Sequence, residues 1–139
     1  MDGKLMEYFN RQPRLGVIST SSRDGRVDSA VYGSPQMIDE KTVLVAFARG
    51  RTWANLQENP HAVYMIMQPG EGLQDWKGVR VYLRMKEHFQ SGPRLEAYKR
   101  EAAKIVGEEA VRMIAVLAAF EVEEVRPLID LGQGWERGI

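Results

Sequence analysis

The sequence predicts a mainly β domain with flanking helices, its strands antiparallel and wrapped around one core. Three observations carry this. Lys77-Gly78-Val79-Arg80-Val81-Tyr82-Leu83-Arg84-Met85 alternates with period two. Val79, Val81, Leu83 and Met85 face in, while Arg80, Arg84 and Lys86 face out, as in a half-exposed strand. Two runs of strand length, Thr42–Phe47 and residues 61–67, are almost wholly apolar, and the second is apolar on both faces, as a covered barrel strand would be. Turn signals at Asp24-Gly25 and Asp39-Glu40-Lys41 separate the strand candidates.

In chain order, Leu5, Met6 and Phe9 among polar neighbours make a short amphipathic helix. It ends before Pro13, whose ring pushes the preceding residue out of the helical region, and its expected task is to cover one end of the barrel. Arg14-Leu15-Gly16-Val17-Ile18-Ser19-Thr20 opens the sheet with β-branched residues that suit a pleated surface. Asp24-Gly25 reverses it, because glycine reaches positive φ without a Cβ clash. On the return strand Ser29 and Val31 point to one face, Ala30 and Tyr32 to the other. Pro35 ends or bends that strand.

Further on, Gln68-Pro69-Gly70-Glu71-Gly72 is an irregular loop into Leu73-Gln74-Asp75-Trp76. Pro93 fits the first position of a helix, where its missing N–H costs nothing, and the helix runs to about Val106. Leu95, Tyr98, Ala102 and Ile105 recur at helical spacing, with Glu96 and Arg100 paired four apart. Gly107 stops it, and residues 108–113 allow one more helical segment. A last strand is expected over residues 118–126, finished by Pro127. The tail, residues 128–135, is too apolar to be left in water; a partner subunit is the candidate surface for it. No repeat or linker is visible, so residues 1–139 read as a single domain.

A chain of 139 residues can bury ~68% of its unfolded surface, enough for one core. Nineteen basic and nineteen acidic residues cancel, which leaves no electrostatic footprint for nucleic acid or a membrane surface. The absence of cysteine removes disulfides, thiolate chemistry and Cys-based zinc sites. MDGKLMEYFNRQ lacks a signal-peptide apolar core, and no apolar run nears transmembrane length, so a cytoplasmic protein is expected. His61 and His88 have no ligand-spaced partner, and no metal is expected. No nucleophile elbow, phosphate-binding P-loop or Gly-x-Gly-x-x-Gly fingerprint occurs. A chain with so little reactive chemistry of its own fits one that borrows it from a cofactor.

One stretch offers a place for a cofactor. The apolar strand Thr42–Phe47 breaks at Ala48-Arg49-Gly50-Arg51 and restarts as a helix over residues 53–58, with Thr52 expected as its N-cap. Free amides, the positive end of a helix and an adjacent guanidinium together suit an anion, above all a phosphate. The plain alternative is a solvated Arg before an ordinary helix.

The segment R51-T-W-A-N-L-Q-E-N-P60 resembles the Lys/Arg-Thr/Ser-x-x-Asn-Leu-x-x-Asn-Pro signature of the FMN-binding split barrels, the pyridoxamine 5′-phosphate oxidase-like family. The preceding pieces fall in that family's order: an opening helix, a strand over residues 15–21, a turn, a strand over residues 27–38 and a second turn. The match is good over roughly residues 5–90 and looser beyond. The resemblance implies a six-stranded antiparallel split barrel with flanking helices, a homodimer, and FMN at two equivalent interface sites.

Residue by residue, the resemblance implies that Arg51 and Thr52 hold the phosphate and that Asn55 steadies the loop first and touches ligand second. Ala46, Phe47 and Ala48 would offer main-chain groups to the flavin's polar edge. Ser29, Ala30, Val31 and Tyr32 would lie along the phosphate, ribityl chain and ring. Core packing explains Phe47 and Tyr32 equally well, and Arg49 reaches either phosphate or solvent. A charged bond from Arg51 gives about 1.5–3 kcal/mol and a helix end about 0.3–1, against about 8 for micromolar binding. The flavin ring must therefore be covered, and Trp76, Lys77 and Trp135 are the candidates for reaching across from a second subunit, with ordinary dimer packing as their alternative reading.

True pyridoxamine 5′-phosphate oxidases end in a Trp-x-x-x-Arg-Leu-x-Pro type segment bearing substrate-binding Arg and His. This chain ends W135-E-R-G-I139, so vitamin B6 oxidation is not expected. The expected activity is a small FMN-dependent oxidoreductase using flavin N5, with the catalytic residues, electron donor and substrate unspecified. An FMN-binding electron carrier or redox sensor, or a deazaflavin-binding reductase, are the alternatives.

Overall fold

The computed structural model describes residues 3–139. Helix α1 (Lys4–Asn10) leads into strands β1 (Gly16–Ser21), β2 (Val27–Val31), β3 (Gln36–Asp39) and β4 (Thr42–Phe47). Helix α2 (Arg51–Glu58), strand β5 (His61–Gln68), a 3-10 turn (Leu73–Asp75) and the long strand β6 (Lys77–Phe89) follow. Helices α3 (Pro93–Val106) and α4 (Glu108–Arg112), strand β7 (Val116–Pro127) and a 3-10 turn (Trp135–Gly138) complete the chain.

All seven strands join one antiparallel sheet in the order β2-β1-β5-β6-β7-β4-β3. The count is seven and not six because Gly33-Ser34-Pro35 divides residues 27–38 in two, Pro35 having no N–H for a ladder. The two halves, β2 and β3, go to opposite edges of the sheet. The sheet then curls until its edges nearly meet. Tyr32, just past β2, lies with its ring 5.5 Å from that of Phe47, the last residue of β4, though no ladder joins the two strands. The result is a barrel left open along one seam.

The core fills this curl. Phe9, Val43, Val45, Phe47, Tyr64, Val79, Val81 and Phe120 are completely buried, each worth ~1.5–3 kcal/mol by the area it removes from water. Helix α1 covers one end, as its amphipathic spacing predicts: Tyr8 and Phe9 turn inward, and the Asn10 amide makes two 2.8 Å bonds with the Met37 main chain. Gly25 adopts φ +90° in the β1–β2 turn. At Gly16 a Cβ would overlap the Tyr64 hydroxyl, which crosses there to donate 2.6 Å to the Tyr32 carbonyl.

Several expectations change in detail. In β5, Ala62, Tyr64 and Ile66 are buried but Val63, Met65 and Met67 are half-exposed, so a single chain covers one face only. On α3, Leu95 is buried but Ile105 is 85% exposed, since the helix meets the barrel by its first turns. Glu96 and Arg100 form no ion pair; Lys104 and Glu101 do, at 3.2 Å, and such exposed pairs are weak. Strand β7 starts at Val116 and keeps Pro127 as its last residue, where no N–H is needed. The tail packs on its own chain: Asp130 meets Arg80 at 2.9 Å and Arg126 at 2.6 Å, and Trp135 and Ile139 rest against the core. No helix of the described residues is long and apolar enough to cross a membrane.

Candidate functional site

The seam puts unpaired main-chain edges side by side. Tyr32 N donates to Gly16 O, so with Ser29 opposite Ser19 and Val31 opposite Val17, the odd residues of β2 turn their N–H and C=O groups away from β1. Ser29 and Val31 therefore present main-chain groups to the seam. On the other side, Val122 N donates to Lys41 O, which by the same alternation bonds Val43, Val45 and Phe47 to β7. Ala46 faces the opposite edge, and β3 leaves that edge after Leu44. The seam is thus lined by Ser29, Val31 and Ala46 through their backbones.

Helix α2 closes the seam at one end. Its buried face carries Thr52, Trp53, Asn55 and Leu56. Asn55 donates 3.1 Å to the buried Thr20 hydroxyl of β1, which ties α2 to that strand. Thr52 is not the N-cap. The helix begins two residues earlier than expected, at Arg51 with Gly50 extended before it, and the Thr52 side chain is buried beside Tyr32. Burial lifts the Tyr32 hydroxyl above its ordinary pKa, with the Thr52 hydroxyl pulling the other way and Asp28 adding to the rise. No side chain caps α2, and Ala54 N is already bonded to Gly50 O. The amides of the first turn thus have no side-chain acceptor.

Beside this helix start lies an open groove of about 720 Å³ between α2 and the β1–β2 hairpin. Arg23, Arg26 and Arg51 line it with Asp24, Asn55 and Glu58. The carboxylates are occupied locally: Glu58 accepts from the main-chain N of Arg23 at 2.9 Å, and the Ser22 hydroxyl holds Asp24 below the usual carboxylate pKa. The guanidinium groups of Arg23 and Arg26 have no ion-pair partner among the described residues. Arg51 has one distant carboxylate, Asp28 at 3.9 Å, and its side chain is 74% exposed. It stands at the groove's lip in contact with solvent, and is not enclosed in a pocket of its own chain.

The structure gathers most of the residues singled out in the sequence. Ser29 is exposed and shares a 2.8 Å hydroxyl contact with Ser19; Ala30 is half-buried; Val31 is 71% exposed. Ala46 is buried and Ala48 exposed at the end of β4. Phe47 belongs to the core: its ring meets Tyr32, Trp53 and Phe120, and its carbonyl already accepts from Ala115 N at 2.8 Å. Its carbonyl is therefore not free for a ligand. Arg49 does not join Arg51; across Gly50 it turns to a separate hollow by α3 and α4.

Trp76, Lys77 and Trp135 lie elsewhere. Lys77 pairs with Gln68, at the other end of β5 from His61, whose neighbour Ala62 pairs with Thr20 near the groove. Eight strand residues span roughly 26 Å at ~3.3 Å each, so these three do not reach the groove of their own chain. Arg23 and Arg26 carry no site signal in the sequence, because their spacing spells a hairpin turn; only the fold carries that turn over α2. Among the described residues no cluster of His, Cys, Asp and Glu is arranged to hold a metal.

No protein-family model matches the sequence, and no curated protein does. Solved structures do match. An FMN-binding protein from Syntrophomonas wolfei subsp. wolfei shares 22% identity, with a TM-score of 0.74 over 94% of this chain and 86% of that one. HutZ, a heme storage protein from Vibrio cholerae, shares 16% identity at a TM-score of 0.65 over 98% and 99% of the two chains. An F420 reductase shares 12% identity at 0.64 over 86% and 94%. At these identities the likeness is one of fold: the chain has the split-barrel architecture that these proteins share.

Proposed function

We propose that the protein is a small flavin oxidoreductase that binds FMN, its phosphate at the groove beside α2 and its ring along the seam. The observation that supports this most is the meeting of two kinds of unsatisfied group at one place. Three arginines without close ion pairs flank an uncapped helix start, and the main chain of Ser29, Val31 and Ala46 lies open next to them. A phosphate dianion satisfies the first set and the polar edge of a flavin the second. The solved FMN-binding protein of the same fold is consistent with that choice.

Within this reading Arg51 anchors the phosphate, with Arg23 and Arg26 adding charge from the hairpin. Asn55 fixes α2 to β1 so that the helix start stays aimed at the groove. When bound, FMN supplies an acceptor for hydride or electron pairs at N5. The chain's own residues would hold it, keep water from one side of it and exclude ligands without the phosphate.

The exposure of Arg51 means that one chain does not finish the site, and a second copy of the chain is the proposed cover. The outer face of the sheet supports this. Val31, Val17 and Met65 stand side by side across β2, β1 and β5, with Val63 and Tyr82 in the next row, all exposed or half-exposed. An apolar patch of this kind, bordered by Ser19, Ser29 and Arg80, is the kind of surface that a homodimer buries. In such a dimer Trp76, Lys77 or Trp135 would come from the partner.

The test is direct. Purified protein incubated with FMN and then desalted should keep about one flavin per chain and migrate as a dimer. NADH or NADPH should then bleach the flavin, with turnover when an electron acceptor is added. A protein that holds FMN but is reduced by neither is a carrier; one that takes up F420 and not FMN belongs to the deazaflavin reading. A colourless protein that takes up no flavin of any kind removes the proposal.

A further inference from the structure

We propose that the hollow on the far side of the 48–51 loop is a second binding site, for a small organic anion with an apolar body. A carboxylate or a phosphate monoester would serve. The hollow measures about 420 Å³ and lies between the end of β4, the start of α3 and the end of α4. Arg49, Lys99 and Arg112 reach it from three separate elements, and Glu96 is the one carboxylate lining it. None of the three cations has an ion-pair partner among the described residues. Three positive charges face the single carboxylate of Glu96 around one concavity, and the net positive charge left over favours an anion there. Arg112 also sits in the last turn of α4, where a cation is at home, but Arg49 and Lys99 have no such local reason.

A second observation agrees. The first turn of α3 enters the hollow, and this fourteen-residue helix has no side-chain cap at Gly92. Pro93 has no N–H and Glu96 N is bonded to Gly92 O, so the amides of Arg94 and Leu95 are the ones left at this positive helix end. The floor is apolar, made by buried Leu95 with Ile114 and Ala115. Charge at the rim over a greasy floor selects an anion that carries a hydrocarbon or aromatic body over a bare inorganic ion.

The hollow and the groove read opposite sides of one short loop, Arg49 and Arg51 being separated by Gly50 alone. If the flavin reading above holds, the anion bound by Arg49 is the class of substrate or electron donor brought next to that loop. The binding site itself stands apart from that reading, and its test needs no flavin.

The experiment is an amide-resolved NMR titration of the full chain with phenyl phosphate, benzoate, inorganic phosphate and benzyl alcohol. Phenyl phosphate or benzoate should shift the signals of Ser91, Lys99 and residues 112–115 in a saturable way, and whichever binds tighter identifies the anionic group. Inorganic phosphate should bind more weakly, and neutral benzyl alcohol should not saturate. Arg112→Glu should weaken binding at least about tenfold, as loss of a charge-assisted bond predicts. Lys99→Ala, at a half-exposed position that leaves the fold alone, should weaken it in the same direction. FMN uptake should be unchanged in both variants, so failure here is distinguishable from failure of the flavin reading. Absence of saturable shifts at the hollow, shifts confined to the groove around Arg23 and Arg51, or equal affinity in the charge-reversed variant would overturn the proposal.

Discussion

Arginine is used in two opposite ways at the two ends of this barrel. Near the C-terminal tail, Arg80 and Arg126 close on Asp130 at 2.9 and 2.6 Å, and Arg126 also meets Glu124 at 2.9 Å. Those guanidinium groups are spent on holding the tail against β6 and β7. At the α2 end, Arg23 and Arg26 have no ion-pair partner among the described residues and Arg51 has only a carboxylate 3.9 Å away. The residue type is the same, but one end is electrically closed and the other open. A satisfied arginine stabilises the fold, whereas an unsatisfied one beside a bare helix start is available to a guest.

Substitutions at the two ends should act differently. Leu56→Ala should have the largest effect, because Leu56 is buried beneath the open end and anchors α2. A loss of ~2–5 kcal/mol in urea unfolding is expected, with weakened flavin binding alongside it. Arg51→Ala should separate the two ends cleanly. FMN binding should weaken about tenfold or more, from ~1.5–3 kcal/mol for the charged bond, while unfolding moves by no more than about 0.5 kcal/mol. Asp130→Asn should do the reverse, lowering stability less than Leu56→Ala does and leaving the flavin affinity alone.

The Asp130 effect should also carry a pH signature. The Gly132 N–H, Arg126 and Arg80 together hold its carboxyl below the ordinary carboxylate range. A depressed folded pKa contributes stability that is complete above the unfolded value and fades as pH falls through the folded one. The gap between wild type and Asp130→Asn should therefore be full at neutral pH and shrink only below about pH 4. A gap that stays constant down the acid limb would mean that the carboxylate does not hold the tail.

Much of this fold was legible in the sequence, because it rests on local signals. The apolar run of β4, the Pro93 start and Gly107 stop of α3, and the Gly25 turn all appear where spacing and turn chemistry put them. What could not be read depended on distant partners. Thr52 has the hydroxyl an N-cap needs, yet it is buried beside Tyr32, just past β2, and the helix starts at Arg51 after Gly50. Arg49 and Arg51 look equivalent until Gly50 sends them to different sides of the loop. Arg23 and Arg26 gain their meaning only when the hairpin folds over α2, a contact made by Glu58 thirty-five residues away. The apolar run of the tail does not tell which surface it meets; within one chain, the pairing of Asp130 with Arg80 and Arg126 fastens its start to β6 and β7.

FMN and riboflavin differ only by the phosphate, so their relative affinities report on the groove beside α2. If the unpaired arginines and bare amides beside α2 receive that group, equilibrium titration should find FMN bound at least about tenfold tighter than riboflavin, and Arg51→Ala should narrow the difference. Equal affinities for the two ligands, unaltered by the substitution, would contradict it.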